Sequence, residues 1–283
     1  MKLTKILLAG AAIALATMGS AAQAADMKIA LVVKSLGIGF FEAANKGAQE
    51  AAKELGGVEV IYTGPTSTTA EGQIEVINSL IAQGVDAIAI SANDPDAVVP
   101  ALKKAAQRGI KVISFDSGVK KDGRLMQLNP SNSALIGEKL VKMSEQVVGK
   151  TGEIAVLSAT AQATNQNIWI GEMKKVLAKP EYSGLKLVSV VYGDDQTDKS
   201  YREAQGLFKS YPNLKAIIAP TTVGVAAAAK AVQDEKKVGA IFVTGLGLPS
   251  EMAGHVKSGA VKSFAIWNPI DLGYSSVYAV HAF

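Results

Sequence analysis

The sequence predicts an α/β protein built as two doubly wound, parallel-sheet lobes joined by a hinge. Three observations carry that expectation. Short β-rich runs alternate with longer helical stretches along most of the chain. The β-rich runs are continuously apolar rather than alternating, as expected of strands covered on both faces. The layout of 86–116, DAIAISANDPDAVVPALKKAAQRGIKVISFD, also recurs at 215–245, KAIIAPTTVGVAAAAKAVQDEKKVGAIFVTG, as strand, polar loop, helix, strand and polar stop. No short period repeats, so the echo indicates a pair of similar lobes and not a solenoid.

Each element follows from local chemistry. In the first half KIALVV (28–33) reads as a strand, and 41–55 as a helix stopped by Gly56-Gly57. A strand at 58–62 and a helix at 68–83 ended by Gly84 follow. DAIAIS (86–91) is the next strand, 96–108 a helix stopped by Gly109, and KVISF (111–115) a strand. In the second half strands are expected at 153–157, 186–191, 215–219 and 240–244. Helices are expected at 165–177, 199–211 and 223–232, with an exit strand at 263–266. The strand–helix–strand order gives doubly wound layers. It divides the chain into a first lobe of 25–118 plus 268–283 and a second of 129–264, with crossings near 117–128 and 265–269.

The first 24 residues read as an export leader rather than as part of the fold. Lys2 and Lys5 precede an apolar run at 6–16, and Ala22-Gln23-Ala24 fits a small-x-small cleavage site. The run is too short to span a bilayer. The 283 residues include no cysteine, which excludes disulfides, thiol catalysis and thiolate zinc sites. The formal charge of +4 is spread through mixed segments such as Asp234-Glu235-Lys236-Lys237, so no basic stripe suits nucleic acid.

Ligands of open parallel sheets bind beyond the carboxyl ends of the strands. In the first half those exits carry Lys34-Ser35, Phe40-Phe41, Ser91-Ala92-Asn93-Asp94 and Asp116-Ser117. In the second they carry 158–166, Pro220-Thr221-Thr222, Gly245 and Trp267-Asn268. Neutral hydrogen-bonding groups, one cation, one firm carboxylate (Asp116) and several aromatics suit a sugar: hydroxyls pair with the polar groups, and apolar ring faces pack on Phe or Trp. Each position has a plainer role as well. Asp116 could cap a turn, Lys34 could be solvated, Asn165 could be a helix cap, and Trp169 and Trp267 could be core aromatics. One of Phe40 and Phe41 is expected to face the ligand. Enzyme signatures are weak: Gly37-Ile38-Gly39 is followed by Glu42 where a dinucleotide fingerprint needs a third glycine, and neither a phosphate loop nor a GxSxG elbow occurs. No cofactor is expected, and His255 and His281 stand apart with no metal-binding company.

KIALVVKSLGIGFFEAANKGAQEAAKELGGVEVIYTGP, QGVDAIAISANDPDAVVPALKKAAQRGIKVISFDS, TNQNIWIGEM, APTT and AIWNP resemble the periplasmic sugar-binding proteins of the ribose-binding type. Within that type they are most similar to the rhamnose-binding proteins of ABC importers, with autoinducer-2-binding proteins as near relatives. The resemblance runs from Lys28 to the chain end. It implies the type I periplasmic binding protein fold, a periplasmic location, no catalysis, a monomer, a monosaccharide such as rhamnose in the cleft and an ABC transporter permease as partner. It also implies ligand contacts from Lys34, Asp116, Gln166 and Pro220, where the chain matches the autoinducer-2 group. Asn165 and Asn268 stand where that group has aspartates, and Thr222 where it has alanine. These departures point to a neutral sugar, with autoinducer-2 as the alternative. Family members continue past the helix starting near Asp271, so the resemblance implies a truncated second lobe of reduced stability.

Overall fold

The computed structural model describes residues 26–283, and the leader expected at 1–24 lies outside them. The first lobe contains β1 (Met27–Val32), α1 (Gly39–Leu55), β2 (Val58–Thr63), α2 (Ala70–Gln83), β3 (Ala87–Ile90), α3 (Val99–Gln107), β4 (Lys111–Phe115) and β5 (Gln127–Leu128). Its strands are all parallel, in the order β2-β1-β3-β4-β5. The second lobe contains α4 (Ser133–Val148), β6 (Gly152–Ser158), α5 (Thr164–Leu177), β7 (Leu185–Tyr192), α6 (Thr197–Ser210), β8 (Leu214–Ala219), α7 (Thr222–Asp234), β9 (Phe242–Gly245) and α8 (Pro249–Ser258). Its parallel sheet has the order β7-β6-β8-β9.

The unbroken apolar runs have the physical origin the sequence suggested. Alternate residues of β1 enter different cores: Ile29 and Leu31 pack with residues of α1, and Ala30 and Val32 with Ile77, Leu80 and Leu102 of α2 and α3. β6 divides likewise, Ala155 and Leu157 joining the α6–α7 side, and Ile154 and Val156 the α4–α5 side. Burial on both faces removes the need for polar alternation.

A last helix, α9 (Pro269–His281), returns to the first lobe and packs on α1. Glycines set how closely they meet: a Cβ on Gly47 would lie 1.8 Å from the Ile270 carbonyl oxygen, and one on Gly273 1.8 Å from that of Ala44.

Three sequence expectations change. β5 pairs with β4 through Ser114↔Gln127 and Phe115↔Leu128, so the expected crossing at 117–128 stays in the first lobe and the chain changes lobes at 129–132. The exit strand at 263–266 reduces to an isolated bridge between Leu246 and Ala265, because the chain only grazes the sheet on its way back. α4 and α8 went unread, although α4 carries a cap in which Asn132 Oδ1 accepts the Leu135 N–H at 3.0 Å.

Candidate functional site

The strand exits of both sheets face one another, as this fold class requires. They line a gap of about 390 Å³, part of it open to solvent. The first lobe contributes Lys34 after β1, Phe40 and Phe41 from the first turn of α1, and Asp116 after β4. The second contributes Asn165, Gln166 and Trp169 from the start of α5, Pro220 after β8 and Thr222 at the start of α7. Trp267 closes the side nearest the return crossing.

The polar groups form one network across the lobes. Asp116, 5% exposed, accepts Ser91 Oγ at 2.8 Å from its own lobe and Asn165 Nδ2 at 2.8 Å from the other. Asn165 Oδ1 accepts Lys34 Nζ at 3.4 Å and the Gln166 N–H at 2.8 Å. Gln166 Oε1 accepts Ser158 Oγ at 2.7 Å and the Ala159 N–H at 2.8 Å, which ties α5 to β6. Two bonds outside the cavity also span the lobes, from Thr164 Oγ1 to the Gly118 carbonyl at 3.0 Å and from Thr68 Oγ1 to the Asp194 carbonyl at 2.5 Å. The apolar part is an aromatic chain with edge-on contacts. Phe41 meets Phe40 at 5.2 Å, Phe40 meets Trp267 at 6.0 Å, and Trp267 meets Trp169 at 5.4 Å between ring centres.

Of the twelve residues expected in the site, ten line this space. Phe40 and Phe41 both do so. Asn93 does not. It is buried behind Lys34, donating Nδ2 to the Lys34 carbonyl at 2.9 Å and the Thr69 carbonyl at 3.1 Å, so it holds the first loop in place. Asn268 is also displaced. It is exposed, and its Oδ1 accepts the Ile270 N–H at 3.0 Å, which makes it the cap of α9. Its neighbour Pro269 occupies the first helical position, the usual place for a proline.

Sequence reasoning missed Asp195. It follows β7, lines the cavity, and accepts a hydrogen bond from Thr221 Oγ1. Burial pushes its carboxyl above the usual carboxylate range, while the Lys34 charge and the Thr221 bond pull the other way. Asp195 also borders an outer gap between the lobes, together with Thr68, Glu251 and His255. Burial raises Glu251 there and, helped by Lys230, lowers His255. Four non-glycine residues among those described have positive φ, and three stand at cleft strand exits: Asp116 at 53°, Asp194 at 54° and Asp195 at 51°. Such backbones cost of order 1–3 kcal/mol each and tend to collect at functional sites. Among the described residues no group of three or more His, Asp or Glu side chains could hold a metal ion.

Donors, acceptors and aromatic faces that converge from two lobes on one cleft define a hinged protein of the kind that captures a small ligand between its domains. The chain belongs to the periplasmic binding protein family, whose domain model matches residues 29–283. A D-ribose/D-allose-binding protein of Pseudomonas aeruginosa is 29% identical over 84% of this chain and 76% of its own length. A solved ABC transporter solute-binding protein from Clostridium phytofermentas, with bound L-rhamnose, is 41% identical with a TM-score of 0.88, covering 90% of this chain and 80% of that one. LsrB from Clostridium saccharobutylicum in complex with AI-2 is 26% identical with a TM-score of 0.86, covering 90% and 81%. These relatives are binding and transport proteins rather than enzymes.

Proposed function

We infer that this protein binds a neutral monosaccharide, L-rhamnose first, in the inter-lobe cleft and presents it in the periplasm to the permease of an ABC importer. The observation that carries this reading is the 41% identical relative with L-rhamnose bound, whose fold this chain shares over nine-tenths of its length. The cleft supports it chemically. Lys34, Asp116, Gln166 and Thr222 suit ring hydroxyls, and the Phe40–Trp267–Trp169 wall suits the apolar face and ring methyl of a deoxyhexose. Asn165 gives the cleft a neutral amide that serves Lys34 and Asp116 at once.

The relative that holds AI-2 motivates a second reading, uptake or sensing of autoinducer-2. The cavity position of Asn165 still argues against it, but Asn268 drops out of that argument because it caps α9. Calorimetric titration with L-rhamnose, D-ribose, D-allose and autoinducer-2 separates the readings. L-Rhamnose should bind at least about tenfold tighter than the others, a difference of about 1.4 kcal/mol. Tighter binding of autoinducer-2, or no heat with L-rhamnose, would overturn the assignment.

A further inference from the structure

A neutral polyol has hydroxyl protons to place as well as lone pairs to fill, so its site needs open acceptors. Several acceptors in this cleft are occupied by the protein itself. Each Asp116 oxygen takes one donor and keeps one further acceptor site. Asn165 Oδ1 takes two, and so does Gln166 Oε1. Asp195 differs. One of its oxygens accepts from Thr221 Oγ1, and the other meets no protein donor among the described residues.

We propose that Asp195 contacts the ligand directly, its free carboxylate oxygen accepting a hydroxyl proton from the edge of the sugar nearest the outer gap. This rests on the monosaccharide reading and adds to it which lobe reads that edge. The placement follows from geometry, since Asp195 borders both the inner cavity and the outer gap. Its backbone is held in an unusual shape to achieve this. Asp194 and Asp195 are consecutive residues in the left-handed region. The Gly193 and Asp194 N–H groups bond the Ser158 and Ala159 carbonyls at 2.9 and 3.2 Å, and the Gln196 N–H bonds the Gly193 carbonyl at 2.9 Å. Thr68 of the opposite lobe and Lys199 hold Asp194. A loop fixed at so many points and ending in a half-satisfied carboxyl is aimed at something outside the protein. Burial, with like charge from Asp116 and Asp194, holds this carboxyl above the usual carboxylate range against the pull of Lys34 and Thr221.

Asp195→Asn isolates the free oxygen. Asparagine matches the size, can still accept from Thr221, and tolerates positive φ, but presents an NH₂ group where the open acceptor stood. The sugar that binds the wild type tightest should lose about 10- to 100-fold in affinity, with the melting temperature of the ligand-free protein unchanged. Titration with monodeoxy analogues of that sugar locates the partner. One analogue should bind wild type and variant equally, because it lacks the hydroxyl that Asp195 reads. Unchanged affinity for the parent sugar overturns the proposal, as does an equal loss for every analogue, which would make Asp195 a structural strut. If no sugar binds the wild type, the monosaccharide reading fails first and this one with it.

Discussion

The two walls of the cleft share one architecture and differ in what they leave open. The first-lobe wall is braced from behind, although buried Asn93 Oδ1 and Ser117 Oγ meet no protein partner among the described residues. Gln73, fully buried, donates Nε2 to the Val33 carbonyl at 3.0 Å and the Ser91 carbonyl at 2.8 Å, and its Oε1 accepts the Asn93 N–H at 2.7 Å. One side chain therefore fixes the exits of β1 and β3, and Asn93 and Ser91 pass that order to Lys34 and Asp116. The second-lobe wall is anchored by Ser158 and Ala159 on Gln166 Oε1, by the backbone bonds of the 193–196 loop and by Thr221 on Asp195. Toward the cavity, no protein partner meets the Gln166 amide nitrogen, the Thr222 hydroxyl or one Asp195 oxygen among the described residues. On the proposed function, the contrast predicts a division of labour in which the first lobe offers a preformed platform and the second completes its hydrogen bonds with ligand.

The largest test of that contrast is Gln73→Leu, which keeps the side chain's bulk and removes its polar head. Two carbonyls and one N–H would be left buried and unpaired, at about 1–3 kcal/mol each. Unfolding in denaturant should show a loss of about 3 kcal/mol or more. A loss below about 1 kcal/mol would mean that the first wall is not held from behind, and the contrast would break.

Legibility in the sequence also differed between the walls. Lys34 and Asp116 could be read because each directly follows an unbroken buried run, 29–33 and 112–115. Asp195 could not, for two reasons. β7 is the edge strand of its sheet and only half-buried along most of its length, so its exit does not follow a fully buried run as those of β1 and β4 do. The left-handed turn that aims the carboxyl is built on aspartates, whereas glycine is what marks such turns in a sequence. The layered sheets were legible throughout because burial on both faces leaves its mark in composition. Asn93 and Asn268 show the opposite limit. Neither lines the cleft space: Asn93 is turned to partners distant in sequence, Lys34 and Thr69, and Asn268 to the N–H of Ile270 two residues on, where it caps α9.

A smaller effect is expected at Asp116, where platform and ligand site coincide. Asp116→Asn keeps the positive-φ backbone accessible but sets an NH₂ group against the donors of Ser91 or Asn165. Affinity for the tightest-binding sugar should fall by about 2 kcal/mol, roughly 30-fold, within the range for hydrogen bonds to charged groups. Because Asn165 comes from the other lobe, the variant should also lose part of what holds the lobes together without ligand. Small-angle scattering of the ligand-free protein would then show a more open average shape. A calorimetric affinity equal to wild type would remove Asp116 from the site and reduce it to a brace for Ser91.

The smallest effect sharpens the contrast most, because it should appear in one measurement and be absent from another. Thr222 is buried at the start of α7 and lines the cavity, and no protein group among those described bonds its hydroxyl. Thr222→Val exchanges that hydroxyl for a methyl of nearly the same size. If the second wall keeps its polar groups for ligand, affinity should fall by about 1 kcal/mol, the worth of a neutral hydrogen bond. Stability of the ligand-free protein should stay within about 0.5 kcal/mol, as for substitutions that disturb no protein contact. Gln73→Leu predicts the reverse ordering, with stability lost first and affinity only as a consequence. A Thr222→Val protein that melts early yet binds normally would show the second wall to be as self-bonded as the first, and the ligand's hydroxyls would then have to be read elsewhere.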